Sequence, residues 1–208
     1  KLELGSFVVA AIRGRHVVPM RTVAQDADLG LERCVVRHGL RAAFPPAVLD
    51  GARAAAAAVS LQGRRDLREV PTVTIDAAST TDIDDALSAL PADADGALRV
   101  LVSIADVDAF VPEGSPMDLE ARLRGTSVYL AGRVLHMLPE SLASDAASLK
   151  QGVERPALTA ELRIDPEGRI TAVDLYASVL RSHARLTYDA VTELFTTGSS
   201  KEVPEGVV

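Results

Sequence analysis

The sequence has few of the residues that define several protein classes. It contains no tryptophan, only 3% aromatic residues and one cysteine in 208 residues. A lone Cys34 excludes an intramolecular disulfide and suits a reducing compartment, so we expect a cytoplasmic protein. No run of about 18 apolar residues is present, and no transmembrane helix is therefore expected. Because 48% of the residues are hydrophobic, a core must form mainly from alanine, valine and leucine.

The first residues lack the layout of a secretory signal peptide and begin with Lys1 rather than methionine. We therefore expect a piece of a longer protein or a processed product.

Acidic residues are concentrated in one part of the chain. Residues 76–120 hold 11 acidic side chains and one basic side chain, a net charge of −10. Residues 1–75 are basic, with 11 basic and 7 acidic side chains. An acidic region of this kind repels a phosphate backbone unless a metal ion is bound.

Four aspartates, Asp76, Asp82, Asp84 and Asp85, form the centre of this acidic region. Carboxylates this close raise one another's pKa unless a cation neutralises them. Mg²⁺, or Mn²⁺ in its place, is the expected cation, because hard ions take oxygen ligands and neither histidine nor cysteine joins the cluster. Paired ions about 3.5–4 Å apart commonly serve phosphodiester cleavage. The cluster thus predicts metal-assisted phosphoryl chemistry.

Other interpretations of the same cluster have to be weighed. An EF-hand loop requires a central glycine and a terminal glutamate, and neither is present. A phospho-aspartate enzyme would have a second aspartate two residues after Asp76, where the chain has Ala78. A solvated acidic loop that caps helices remains open, since aspartate is favoured at helix N-caps.

Hydrophobic periodicity predicts an α+β fold, a mixed and largely antiparallel sheet with surrounding helices. Strands are predicted over residues 6–12, 16–20, 73–75, 99–105, 126–130, 134–138, 157–164 and 170–180. Helices are predicted over residues 29–38, 47–61, 116–124 and 188–195. A turn at residues 13–15 and a polar link at residues 63–68 complete the interpretation.

Five segments occur in an order and spacing that resemble the RNB catalytic domain of the RNase II / RNase R exoribonuclease family. They are TIDAASTTDIDDA (74–86), VSIADV (102–107), RGTSVY (124–129), MLPESL (137–142) and SVLRSHARLTY (178–188). The resemblance covers about residues 70–195. It implies three parts: 1–25 as the tail of an N-terminal RNA-binding domain, 26–69 as a helical lead-in, and 70–208 as the N-terminal half of the RNB domain.

The resemblance implies a magnesium-dependent hydrolytic 3′→5′ exoribonuclease that digests single-stranded RNA processively to nucleoside 5′-monophosphates. Asp76, Asp82 and Asp85 match metal-binding carboxylates, and Asp84 matches the aspartate most critical for cleavage. Tyr129 matches a tyrosine that holds the terminal nucleotide at the cleavage end, and Tyr188 an aromatic residue that contacts RNA. Without the resemblance, core packing with a hydrogen-bonded hydroxyl is the favoured role for each tyrosine. Asp106 could support the site or simply end a strand.

The resemblance also implies partners outside this chain. The remainder of the RNB domain and a C-terminal OB-fold domain are expected in the full protein, which we expect to be a monomer. Because that remainder should supply an arginine and further walls of the RNA channel, the isolated 208-residue span is expected to be inactive. A non-catalytic RNA-binding protein of the RNB fold is the alternative, and a magnesium-dependent hydrolase of small nucleotides is a weaker one.

Overall fold

The computed structural model describes residues 7–13, 16–23 and 29–204. The strands are β1 (Phe7–Arg13), β2 (His16–Val23), β3 (Arg65–Leu67), β4 (Val73–Asp76), β5 (Asp85–Leu90), β6 (Leu98–Ala105), β7 (Val128–Leu130), β8 (Arg133–Leu135), β9 (Glu154–Ile164), β10 (Ile170–Arg181) and β11 (Ala184–Thr187). The helices are α1 (Leu29–Arg37), α2 (Pro46–Ala58), α3 (Pro116–Arg124) and α4 (Tyr188–Thr197), with a 3₁₀ turn at Val107–Ala109 and a π-helical turn at Leu142–Ala146. Within the described residues no helix combines the length and the apolar character needed to cross a membrane.

A seven-stranded sheet forms the body of the fold, in the order β11-β4-β5-β6-β9-β10-β3. The four pairs from β4 to β10 are antiparallel, while β11 pairs with β4 and β3 pairs with β10 in parallel. The predicted α+β class with a largely antiparallel sheet is therefore confirmed. β1 and β2 form a separate antiparallel hairpin, and the predicted turn between them lies partly outside the described residues.

The large sheet curls until its two ends meet. β3 and β4 belong to one chain segment, joined by residues 68–72, and β10 and β11 belong to another, joined by residues 182–183. β3 pairs with β10 at one end of the strand order and β4 pairs with β11 at the other, so these two segments lie side by side at both ends. The amide of His183 donates to the carbonyl of Thr72 between the two parallel pairs. This closure brings the end of β4 and the start of α4 to one rim of the sheet.

The inside of the curled sheet is packed with small apolar residues and paired hydroxyl groups. Leu101, Leu149 and Leu180 are its largest fully buried apolar side chains. The hydroxyls of Ser103 and Ser178 both bond to Thr159, at 2.8 and 2.7 Å. Since the chain is poor in aromatic residues, serine and threonine fill space there, and their hydrogen bonds offset the cost of burial.

A second core lies between the helices. It includes Val48 and Ala52 of α2, Met117 of α3, Phe110 and Leu142. α3 is confirmed over its predicted span: Pro116 follows the N-cap Ser115, whose hydroxyl accepts from the Asp118 amide.

Several elements differ from the sequence-based prediction. α2 ends at Ala58 rather than at residue 61, because the backbone of Val59 is extended. The polar link at residues 63–68 contains the edge strand β3, whose pairing with β10 is tertiary. Residues 85–90 form strand β5, so the aspartates do not cap a helix there. β11 and the π-helical turn were not predicted.

Candidate active site

The four aspartates lie along the connection between β4 and β5. Asp76 is the last residue of β4 and Asp85 the first of β5, while Asp82 and Asp84 stand in the intervening loop. Ile83 between them is buried in the sheet core. The side chains on either side of it therefore remain near the surface, where carboxylates can meet a ligand.

The backbone of this loop is fixed by its neighbours. The amide of Ala105 donates to the carbonyl of Asp84 and the amide of Leu149 to that of Ile83, both at 2.8 Å. The guanidinium of Arg185 donates to the carbonyls of Ala78 and Thr80. An acidic loop held at several points can keep its charges together despite their repulsion.

The electrostatics show that the aspartates act on one another. Partial burial raises the pKa of Asp84, and the charges of Asp82, Asp85 and Asp76 raise it further. Burial also raises the pKa of Asp76, with Asp85 and Asp82 adding to the shift and Arg185 opposing it. The predicted mutual repulsion is thus present in the folded chain.

Tyr129 joins the cluster through its hydroxyl. The ring, on β7, is 68% exposed, and its hydroxyl donates to Oδ2 of Asp82 at 3.0 Å. This hydrogen bond raises the pKa of Tyr129. The exposure rules out the core-packing role that the sequence left open for this residue.

A cavity of about 270 Å³ lies beside this contact. Asp82, Asp84, Ser127 and Tyr129 provide its polar lining. Its apolar lining consists of Ile104, Ala105, Val107, Met137, Leu138, Ala143 and Ala147. A cleft with mostly apolar walls and a few convergent polar groups is the usual form of a small-molecule site.

Tyr188 and Arg185 approach the cluster from the parallel strand β11. Thr187 is the register partner of Asp76, so Tyr188, which follows it, begins α4 at the rim where β4 ends. The Tyr188 ring is 61% exposed and does not pack in the core. The Arg185 charge opposes the rise in the pKa of Asp76 that burial and Asp85 cause. Sequence reasoning missed Arg185, although it lies inside the 178–188 segment.

Asp106 is engaged in an ion pair within the fold. Its carboxylate forms a 2.7 Å ion pair with Arg64, and both side chains are largely buried. Arg64 also approaches the carbonyls of Ala157 and Ser178 at 3.4 Å. Of the two roles open from the sequence, the structure supports that of a residue holding strand ends together.

The donor chemistry of the cluster fits Mg²⁺. Oδ2 of Asp76 is buried and has no hydrogen-bond partner, which is costly for a carboxylate oxygen and would be relieved by a cation. Within the described residues, however, no three His, Cys, Asp or Glu side chains already stand at metal-ligand spacing. Binding would therefore require the carboxylates to turn toward a common point.

The raised pKa of Asp84 leads to a stability prediction. A carboxyl with a higher pKa in the folded than in the unfolded state favours folding at low pH, and this contribution is lost as pH rises through the folded pKa. Without metal at pH 7, Asp84→Asn should therefore raise Tm, because it removes the charge that burial and the neighbouring aspartates disfavour. The gain should shrink toward pH 4. Thermal melts in EDTA measure this change in Tm.

The control is Asp108→Asn, at an exposed carboxylate outside the cluster, and its Tm should not rise. An equal rise in Tm would contradict the assignment of the effect to the cluster.

Comparison with known proteins identifies the family to which this fold belongs. The model of the RNB domain matches residues 64–205. The chain therefore belongs to the RNB domain family.

Individual relatives are consistent with this assignment. Ribonuclease R of Thermotoga maritima is 41% identical over 182 residues, covering 84% of this chain and 25% of that protein. The structure of Mycoplasma genitalium RNase R in complex with double-stranded RNA superposes with a TM-score of 0.78 at 26% identity, covering 92% of this chain and 34% of that one. Yeast Ssd1, described as a pseudonuclease, matches with a TM-score of 0.61 at 25% identity, covering 68% of this chain and 18% of that one. The chain spans 16% to 29% of the length of the ribonuclease R relatives that it matches.

Proposed function

We propose that this chain carries the cleavage end of a hydrolytic 3′→5′ exoribonuclease that degrades single-stranded RNA processively to nucleoside 5′-monophosphates. The observation that carries the proposal is the exposed Tyr129, whose hydroxyl meets Asp82 at the mouth of a largely apolar cavity. Family membership and relatives named ribonuclease R support the same reaction class. An exposed aromatic ring suits a ligand that offers a flat base for stacking.

Within this proposal the aspartates divide into two roles. Asp76, Asp82 and Asp85 hold Mg²⁺, with Mn²⁺ as a substitute. The bound ion supplies Lewis-acid stabilisation of the phosphate and lowers the pKa of a bound water. Asp84, at the cavity wall, accepts a hydrogen bond from the attacking water and orients it. Arg185 offsets negative charge beside Asp76 and holds the loop in place.

The tyrosines bind the RNA end. Tyr129 lies at the cavity beside Asp82 and Asp84 and positions the terminal nucleotide. Tyr188, exposed at the rim that also carries Asp76, contacts RNA next to it. Aromatic stacking of this kind is tolerant of sequence, because every base has a π-face.

Further parts of the proposal concern the full-length protein. We expect a cytoplasmic monomer in which the remainder of the RNB domain and an OB-fold domain complete the RNA channel. The isolated 208-residue span should not degrade RNA. Exposed apolar side chains on the outer face of the sheet, among them Ile104, Leu158 and Leu175, support this expectation, because other chain segments can cover such a surface.

A non-catalytic RNA-binding role is the second candidate, and the structural match to a pseudonuclease favours it. The four aspartates favour catalysis, because in the absence of chemistry their repulsion has no compensating use. A ladder assay of the full-length protein on 3′- and 5′-labelled RNA, with Mg²⁺ or EDTA, separates the candidates. Mononucleotide release from the 3′ end supports the proposal. Binding without cleavage supports the second candidate, and hydrolysis of free nucleotides alone would indicate a phosphohydrolase.

Tyr129 offers a test of substrate positioning. In the full-length protein Tyr129→Ala should slow cleavage by the loss of one stacking contact, about 1–3 kcal/mol, and should change the length at which digestion stalls. Short remnants depend on few contacts, so they should suffer most. Tyr129→Phe keeps the ring and removes only the hydrogen bond to Asp82, and it should retain the wild-type end product. Product ladders measure both. An unchanged rate and end product in Tyr129→Ala would remove this residue from the site.

A further inference from the structure

A fully buried serine lies beneath the aspartate loop. Ser148 has no solvent exposure, and its hydroxyl makes two hydrogen bonds to the loop backbone. Oγ accepts from the amide of Ile83 at 3.0 Å and donates to the carbonyl of Thr81 at 3.1 Å. These two backbone groups stand on either side of Asp82. One hydroxyl thus holds the backbone before and after Asp82, whose carboxylate also accepts the Tyr129 hydrogen bond.

The segment around Ser148 is itself held firmly. The amide of Leu149 donates to the carbonyl of Ile83 at 2.8 Å, so residues 148–149 bind both the N–H and the C=O of Ile83. Nε of Arg155 donates to the carbonyl of Ser148 at 3.0 Å. Ser148 is therefore a rigid support and not an adaptable loop residue.

Such a support answers a specific physical problem. Four carboxylates on one short connection repel one another, and a loop without anchors would relieve that repulsion by moving its charges apart. Hydrogen bonds behind the ligand residues fix their orientation before the ion arrives. Because it lies inside the fold, Ser148 cannot touch substrate and can act only through the backbone that it holds.

We propose that Ser148 is a positioning residue that holds the backbone of Thr81–Ile83, so that the carboxylates of Asp82 and Asp84 need only turn their side chains to reach one shared ion and water site. The inference rests on the proposed function in that it takes Mg²⁺ as the ion. It adds to that function a residue that touches neither metal nor RNA.

The test compares two buried serines in the full-length protein. Ser178 is also fully buried, and its hydroxyl bonds to Thr159 at 2.7 Å and donates to the Ala157 carbonyl at 3.3 Å, away from the aspartate loop. Ser148→Ala and Ser178→Ala thus each remove one buried hydroxyl with two contacts. Mg²⁺ affinity is measured by titration calorimetry, and the Mg²⁺ dependence of RNA cleavage is measured in parallel.

We expect Ser148→Ala to weaken Mg²⁺ binding by about 10–100-fold and to shift the Mg²⁺ concentration for half-maximal cleavage by the same factor. Ser178→Ala should leave both values at the wild-type level, although its Tm falls. Ser148→Thr keeps the hydroxyl and should keep most of the affinity. If Ser148→Ala does not fold, Ser148→Cys replaces it in the comparison with Ser178→Ala. Its thiol is a weaker donor at the same place, so we expect a loss of Mg²⁺ affinity smaller than that expected for Ser148→Ala.

The outcomes distinguish this inference from the proposed function. Equal Mg²⁺ affinity in Ser148→Ala and Ser178→Ala overturns the positioning role, whether or not the protein cleaves RNA. A wild-type protein that binds no Mg²⁺ overturns it as well. A wild-type protein that binds Mg²⁺ without degrading RNA, and loses affinity in Ser148→Ala, contradicts the exoribonuclease proposal and supports the role of Ser148.

Discussion

We expect the Asp84→Asn variant of the full-length protein to lose RNA cleavage while it keeps its affinity for single-stranded RNA. Asp84 lines the cavity beside Tyr129, and its pKa is raised by burial and by the three neighbouring aspartates. Asparagine preserves the shape but cannot accept hydrogen bonds as a charged group does. Loss of one such electrostatic partner typically lowers kcat by about 10²–10³-fold. Removing one negative charge near the RNA phosphates should leave binding unchanged or slightly tighter.

Single-turnover cleavage and filter binding measure these two effects separately. Asp174→Asn is a matched control, because Asp174 is an exposed carboxylate on β10 that pairs with Arg65 outside the cluster. It should cleave at the wild-type rate. Cleavage by Asp84→Asn at a rate comparable to that of the control would show that Asp84 is not the critical carboxylate.

The second large effect should follow removal of the metal or of a ligand. EDTA should stop cleavage, and added Mg²⁺ or Mn²⁺ should restore it, whereas Zn²⁺ should not, since the aspartate cluster contains no histidine or cysteine. Asp82→Asn should weaken Mg²⁺ binding, because it removes a charged oxygen donor and alters the partner of Tyr129. Magnesium titration of cleavage by Asp82→Asn measures the shift, expected to be about tenfold or more.

This prediction has a direct structural check. A crystal structure of the full-length protein with Mg²⁺ and RNA should show at least one of Asp76, Asp82 and Asp85 coordinating the ion, directly or through one water. If all three carboxylates lay farther away, the assignment of the metal site would be wrong. Full activity in EDTA would remove the metal from the mechanism altogether.

Local sequence determined much of the fold. Pro116 after the N-cap Ser115 predicts the start of α3, and the long apolar alternations on either side of the 165–168 turn predict the β9–β10 hairpin. These signals act over a few residues, through proline geometry, capping and the period-2 pattern of a strand. The aspartate cluster was likewise visible, because charge density is a property of the chain alone.

Other features were settled by contacts between distant segments. The three-residue strand β3 exists only because it pairs with β10, and β11 because it pairs with β4. Asp85 begins a strand and does not cap a helix, because β6 offers Ile104 as its partner. Strand pairing of this kind depends on hydrogen bonds that no local propensity encodes.

The sequence by itself identified the main side chains of the candidate site: four aspartates on one short stretch and two tyrosines that follow later in the chain. The tertiary structure decided how they meet. It set the Tyr129 hydroxyl on Asp82, brought Arg185 beside Asp76, and placed Ser148 under the loop, 65 residues from the Ile83 amide that it binds. The physical reason is that charge and residue type are fixed locally, whereas the curl of the sheet, which sets these distances, results from pairing strands far apart in the chain.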